Sequence, residues 1–187
     1  MSVEKILLHT CCAPCSAAVV EWLILNDYQP TLYFFNPNIF PEKEYEIRKG
    51  ELVRHAHKFS LAVIDDDYNH NQWLEAINGY ENEPERGRRC SLCFKYRMLA
   101  TAKTAHQLQI PLFATTLASS RWKNIEQIDE AGITAAALFD NLSFFDKNWR
   151  KGGLSQRRNQ LLQENNFYNQ KYCGCEFSIQ THDNCEK

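Results

Sequence analysis

Ile6-Leu7-Leu8-His9-Thr10-Cys11-Cys12-Ala13-Pro14-Cys15-Ser16 is the stretch that decides the fold. Ile6-Leu7-Leu8 reads as a short buried strand ending at His9, and Ala17-Ala18-Val19-Val20-Glu21-Trp22-Leu23 reads as a helix. Pro14 suits the first turn of that helix, where its missing N–H breaks no bond. Three thiols therefore sit at a strand-to-helix turn. A helix N-terminus offers free N–H groups and a positive dipole end, which lower thiol pKa values and favour anionic clusters. Three cysteines in five residues point to metal or redox chemistry rather than to packing.

Working outward, Thr31-Leu32-Tyr33-Phe34-Phe35 is a second strand, apolar throughout as a parallel strand covered on both faces should be. A helix is expected from Glu42 to about Phe59, with Tyr45 and Leu52 on one side, and a strand over Leu61-Ala62-Val63-Ile64. A short helix spans Asn71 to Tyr80. A long one carries Cys90-Ser91-Leu92-Cys93 at its head and reaches Leu108, with Leu92, Tyr96, Leu99 and Ala102 as its apolar face. Leu112 to Leu117 reads as strand four, Ile125–Ala131 as a helix, the stretch marked by Phe139, Phe144 and Phe145 as apolar and strand-forming, and Leu154–Asn165 as a last helix. Strands alternating with helices give an α/β fold with a mainly parallel sheet and flanking helices. The expected organisation is a single domain over residues 1–187 with a short polar C-terminal tail holding Cys185. In such sheets ligands bind beyond the strand C-terminal ends. The cysteine turn, Asn36–Pro41, Asp65–Asp67 and Ala118–Asn124 all fall there.

The 187 residues suffice for one ordinary core, and the 44% hydrophobic and 24% charged composition is that of a globular protein. A net charge of -2 excludes a uniformly basic nucleic-acid binder, so any such binding needs a local patch. No apolar run approaches the roughly 20 residues of a membrane span, and no signal-peptide core follows Met1. A cytoplasmic location is the expectation. Stable structural disulfides are rare there, so the eight cysteines point to metal ligation or catalytic redox use.

Two C-x-x-C-type groups, Cys11, Cys12, Cys15 and Cys90, Cys93, can meet as a four-thiolate site for zinc or an iron–sulfur cluster, with one thiol to spare. A disulfide between Cys173 and Cys175 closes a very small ring, easily reduced and suited to electron relay; two unrelated buried thiols are the other reading. Basic residues gather at Arg86, Arg88, Arg89, Lys95 and Arg97, at Arg121 and Lys123, at Arg150 and Lys151, and at Arg157 and Arg158, with Trp122 and Trp149 interleaved. They form either a solvated face or a phosphate-reading rim. Arg88, Arg89, Arg121 and Lys123 are the expected phosphate contacts. His9 is either a hydrogen-bond donor to a sulfur or an ordinary backbone-bonded histidine. Asp65, Asp66 and Asp67 are either a cation site or, as most such runs at strand ends are, solvated or capping acids.

Leu8-His9-Thr10-Cys11-Cys12-Ala13-Pro14-Cys15, Phe35-Asn36-Pro37-Asn38-Ile39, Glu85-Arg86-Gly87-Arg88-Arg89-Cys90-Ser91-Leu92-Cys93-Phe94, Thr115-Thr116-Leu117 and Tyr172-Cys173-Gly174-Cys175, in this order, resemble the QueH family, the cobalamin-independent epoxyqueuosine reductases of tRNA queuosine synthesis. The resemblance implies a Rossmann-like, HUP-like fold and one 4Fe-4S cluster whose ligands map to Cys11, Cys12, Cys90 and Cys93. It implies a redox-active disulfide between Cys173 and Cys175, and an additional iron beside the cluster, for which Cys15 is the candidate ligand. The implied reaction is two-electron deoxygenation of epoxyqueuosine at the tRNA wobble position, with tRNA and an unidentified electron donor as partners.

Two other classes stand beside it: a metal-free thiol–disulfide oxidoreductase using Cys173 and Cys175, and a zinc-stapled RNA-binding module. ATP-using members of the same fold superfamily place a Ser/Gly-rich phosphate loop after strand one. Cys12-Ala13-Pro14-Cys15-Ser16 has no glycine there, which argues against a nucleotide site.

Overall fold

Strand β1 (Glu4–His9) is flanked on both sides, by β2 (Tyr28–Phe34) and by β4 (Leu112–Thr115), with β3 (Val63–Asp65) and β5 (Ser143–Phe144) at the outer edges. The order β3-β2-β1-β4-β5, parallel at every pairing, comes from a computed structural model that describes residues 3–178. It is a Rossmann-like α/β fold. The polar tail with Cys185 lies outside the described residues.

The helices are α1 (Ala13–Leu25), α2 (Glu42–Lys58), α3 (His70–Ala76), α4 (Arg88–Gln107), α5 (Ile125–Ala136) and α6 (Leu154–Glu164). Side chains alternate across the sheet. Ile6, Leu8, Leu32 and Phe34 pack with Val20, Leu23, Leu52 and Leu161 of α1, α2 and α6. Leu7, Tyr33 and Phe113 pack with Met98, Ala102, Ile128 and Ala135 of α4 and α5. Burial on both faces is why the strands read as unbroken apolar runs.

Several boundaries differ from expectation. β2 begins at Tyr28, before Pro30. The Leu32 N–H donates to the Ala62 carbonyl on the β3 side, and Pro30 faces the same side two residues earlier, before β3 begins, so its missing N–H costs no ladder bond. Leu61 donates instead to the Ala56 carbonyl at the end of α2, which delays β3 to Val63. β4 ends at Thr115 and gives way to a 3-10 turn, Thr116–Ser119. α5 runs through Gly132, where a Cβ would stand 2.5 Å from the Phe144 ring; the glycine admits β5's phenylalanine and does not stop the helix. The buried face of α4 carries Cys93, Phe94, Arg97, Met98, Thr101 and Ala102, whereas Leu99 is exposed. Two buried polar residues on that face hid it from a reading based on apolarity.

β1 and β4 are neighbours, yet the chain leaves them in opposite directions along the sheet. Their C-terminal ends flank the crevice where ligands bind in such sheets. Cys11-Cys12 and Thr116 follow directly.

Candidate metal centre and its basic cleft

The turn after β1 is held before any metal enters it. Asn36, just past β2, donates from Nδ2 to the Thr10 carbonyl at 2.9 Å, and its Oδ1 accepts from Arg97 Nη2. Asn36 and Arg97 are both 1% exposed. Arg97 lies one turn beyond Cys93 on α4, so one asparagine ties the two cysteine elements together. On the β4 side, Thr116 Oγ1 accepts from the Cys11 N–H at 3.3 Å.

His9 is a cross-sheet staple. Its Nε2 lies 3.2 Å from the Phe35 carbonyl, which only accepts, so Nε2 carries the proton and Nδ1 accepts from the Thr115 hydroxyl at 2.8 Å. Burial, with Arg97 nearby, lowers its pKa to about 3 and keeps the ring neutral. The backbone-bonded alternative holds, and no sulfur bond to His9 is present among these contacts. Asp65 and Asp66 accept from the Tyr45 and Tyr33 hydroxyls, which gives them structural work.

The Sγ atoms of Cys11, Cys12 and Cys15 all lie within 4.8 Å of one another, and all three residues are buried. Hydrogen bonds from the Cys12 and Cys15 thiols hold the Cys11 pKa well below the ordinary thiol value. Burial pushes Cys12 well up, and Cys15 rises to about 11 because its hydrogen bond goes to Cys11. The α1 terminus therefore does not lower every thiol, as its dipole alone suggests. Desolvation dominates at Cys12, the hydrogen bond to Cys11 dominates at Cys15, and only Cys11 is shifted downward. Gln170 Nε2 donates to the Cys12 sulfur at 2.8 Å.

Cys90 and Cys93 lie in the first two turns of α4 and line a narrow space of about 40 Å³ together with Cys173 and Cys175. Burial raises Cys90 to about 11 and Cys175 to about 12. Cys11 and Cys15 line an adjoining cleft of about 550 Å³, also with Cys173. Glu85, Trp122, Lys123 and Cys173 border both spaces. The seven described cysteines are free thiols.

The Cys-Gly-Cys segment is seated by a buried arginine. Arg48, 2% exposed, pairs with Glu44 at 2.8 Å and donates to the carbonyls of Cys173 and Tyr172 at 3.1 and 3.2 Å. Gly174 has φ +115°, and a Cβ there would meet Arg48 Nη1 at 2.9 Å. Only glycine allows the segment to lie this close.

The large cleft is strongly basic. Arg48, Arg121, Lys123, Arg150, Arg158 and Lys171 line it against one acid, Glu85. A chain of net charge -2 thus gathers its positive charge beside its thiols. Burial works to lower the Lys123 pKa, but Cys173, Cys11 and Cys15 outweigh it and raise it. Arg88 and Arg121 are exposed. Arg89 is 4% exposed, with its guanidinium on the Glu81 and Glu83 carbonyls and over the Phe177 ring. It braces the segment before α4 and does not face solvent as expected. Trp149 is likewise core, donating to the Thr115 carbonyl at 3.1 Å. Sequence reasoning passed over Arg48 and Gln170, and named Asn36 and Glu85 only within longer motifs, with no role of their own. The one local signal was Arg97, a charge four residues after Cys93 on the same helix face. Among the described residues no helix is long and apolar enough to cross a membrane.

The profile of the family described as epoxyqueuosine reductase QueH matches residues 6–181. An epoxyqueuosine reductase QueH of Histophilus somni is 46% identical over 94% of this chain and 72% of its own length. That of Acinetobacter baylyi is 44% identical over 95% and 82%. That of Thermotoga maritima is 35% identical over 93% and 90%.

Proposed function

The chain belongs to the epoxyqueuosine reductase QueH family, and from that premise we propose that it reduces epoxyqueuosine to queuosine at the tRNA wobble position. The observation that carries the proposal is the buried thiol group on the floor of a basic cleft at the sheet's switch point. The reaction takes two electrons and two protons. Both epoxide C–O bonds break, a C=C bond forms, and the oxygen leaves as water.

The donor set fits a resident iron centre. Clustered cysteine thiolates select iron–sulfur clusters or zinc. A half-buried Gln170 N–H already directed at Cys12, and the buried Glu85 Oε1 without a partner among the described residues, suit a group that brings both sulfur charge and open coordination. In our reading Cys11, Cys12, Cys90 and Cys93 hold a 4Fe-4S cluster, and Cys15 is the ligand of an additional iron. When bound, these supply electrons and a Lewis acid for the departing oxygen.

The chain's own residues do the rest. Asn36 and Arg97 hold the two cysteine elements in register. Gln170 orients Cys12. Glu85 and Lys123 border both thiol spaces, and in our reading the Lys123 ammonium donates a hydrogen bond to the leaving oxygen. Arg48 seats Cys173 at the boundary, where a Cys173–Cys175 disulfide passes electrons inward from an external donor. In our reading Arg88 and Arg121 meet phosphates, whereas Lys123, expected there, serves the thiol centre instead; the modified base must be splayed from the anticodon loop to enter. Membership of a reductase family disfavours the zinc-stapled RNA-binding module and the metal-free oxidoreductase. A cytoplasmic location accords with a tRNA substrate.

The test is nucleoside mass spectrometry on tRNA carrying epoxyqueuosine, incubated anaerobically with the protein and a low-potential reductant. Conversion to a product lighter by one oxygen supports the proposal. Unchanged epoxyqueuosine, with a fully loaded metal centre, refutes it.

A further inference from the structure

We infer that the indole N–H of Trp73 is a hydrogen-bond donor to the Cys93 sulfur of the metal centre and sets its reduction potential, a role that rests on the reading of Cys93 as a cluster ligand. Trp73 is the buried residue of the short α3, at 0% exposure. It packs in one cluster with Ile77, Cys93 and Cys175, and it lines the narrow space that holds Cys90 and Cys93. Its Nε1 has no hydrogen-bond partner among the described residues. A buried donor left unmade destabilises the fold, and a phenylalanine would fill the same place without one. The ring is held where it is. His70 stacks on it with centroids 5.3 Å apart, and the Phe177 ring lies at 6.2 Å. His70 is itself fixed, with Nδ1 2.7 Å from the Pro37 carbonyl and Nε2 2.9 Å from Glu176 Oε1.

The surroundings of Cys93 favour charge on its sulfur. Burial pushes the Cys93 thiol up, and the Arg97 charge and the Trp73 N–H oppose it. The N–H closes no bond to the neutral thiol, but a sulfur that carries charge draws a donor in. Arg89 and Arg97 line the same space, and each keeps an Nε–H without a partner among the described residues. Their other nitrogens are engaged on the Glu81 and Glu83 carbonyls and on Asn36, so both also hold the fold. A wall of buried, unpaired N–H donors suits anionic sulfur rather than a cation or an apolar ligand. Trp73 brings one N–H and no charge, so its substitution isolates the hydrogen bond. An electron added to the centre increases the negative charge on its sulfurs. A donor at Cys93 therefore stabilises the reduced form more than the oxidised form and raises the potential.

The test is an EPR-monitored redox titration of the whole protein, prepared anaerobically, in wild type and Trp73→Phe, with iron and acid-labile sulfide measured in both. At a fixed poise the ratio of reduced to oxidised centre should fall about 3- to 10-fold in Trp73→Phe, the span of one hydrogen bond, which lowers the midpoint by roughly 30–60 mV for one electron. A second measurement uses wild-type and Trp122→Phe protein carrying tryptophan isotopically labelled at the indole nitrogen. The reduced centre should show a magnetic coupling to that nitrogen, and the coupling should survive Trp122→Phe, since Trp122 is the other tryptophan lining the space. An unchanged or raised midpoint in Trp73→Phe at full iron and sulfide overturns the inference and leaves the proposed function standing. If Trp73→Phe fails to hold the centre, the labelled protein decides: a surviving coupling supports the donor, and a coupling that is missing or vanishes in Trp122→Phe overturns it. Zinc without acid-labile sulfide in wild type overturns this inference together with the ligand assignment.

Discussion

Arg48→Met should unseat the Cys173-Gly174-Cys175 segment. Methionine keeps much of the side-chain volume and a good helix propensity, so the change isolates the guanidinium. Its loss leaves the Glu44 carboxylate, itself 7% exposed, with the Tyr168 hydroxyl at 2.8 Å as its remaining side-chain partner among the described residues, and removes donors from the Cys173 and Tyr172 carbonyls. Removing one partner of a buried ion pair costs about 3–5 kcal/mol, because an uncompensated charge stays behind. At roughly 2–4 °C per kcal/mol for a chain of this size, Tm should fall by about 6–20 °C. Adding Glu44→Gln should restore part of the loss, since the orphaned charge is the main cost. The assay is thermal unfolding by circular dichroism, with the rate of Cys173 alkylation measured well below Tm. Alkylation should accelerate in Arg48→Met. A Tm within about 2 °C of wild type, an unchanged alkylation rate, or a double variant no more stable than the single one refutes the seating role.

His55 is 1% exposed between the Phe59 and Phe167 rings, without a hydrogen-bond partner among the described residues for either nitrogen. Burial, reinforced by Lys58, lowers its pKa to about 4. The unfolded chain takes up that proton near pH 6.5, so the contribution is complete above 6.5 and is lost on acidification at up to about 1.4 kcal/mol per pH unit down to about pH 4; His55→Phe should remove this slope, and an unchanged acid-unfolding profile contradicts the assignment. Reversing the charge of Arg88 and Arg121 should lower the salt slope of tRNA binding by about 0.7–0.9 for each lost phosphate contact, with the cluster spectrum intact. Unchanged affinity places the binding face elsewhere. Cys173 and Cys175 should pair under mild oxidation, seen by mass spectrometry after alkylation. Two thiols that stay free, together with full turnover in the double Ser variant, rule out the relay.

The sequence was most legible where structure is local. The Ile6–Leu8 run, Pro14 in the first turn of α1 and the Cys90–Cys93 spacing at the head of α4 each carry their meaning within a few residues. Contacts made by long-range placement were hidden. Nothing near Asn36 shows that it joins Thr10 to Arg97, and nothing near Arg48 shows that its partners lie some 125 positions further on. Arg89 and Trp149 read as rim residues because charge and aromaticity do not reveal which way a side chain points. The helix read as Ile125–Ala131 in fact continues through Gly132, whose use is a contact with Phe144, from another element.

The most direct measurement is iron, zinc and acid-labile sulfide on anaerobically prepared protein, in wild type and in single Ser variants of Cys11, Cys12, Cys90 and Cys93. The expected result is about four irons and four sulfides per chain as a minimum, with visible absorbance that each substitution strips or converts. Stoichiometric zinc with no acid-labile sulfide would contradict the assignment of these thiols to an iron–sulfur centre.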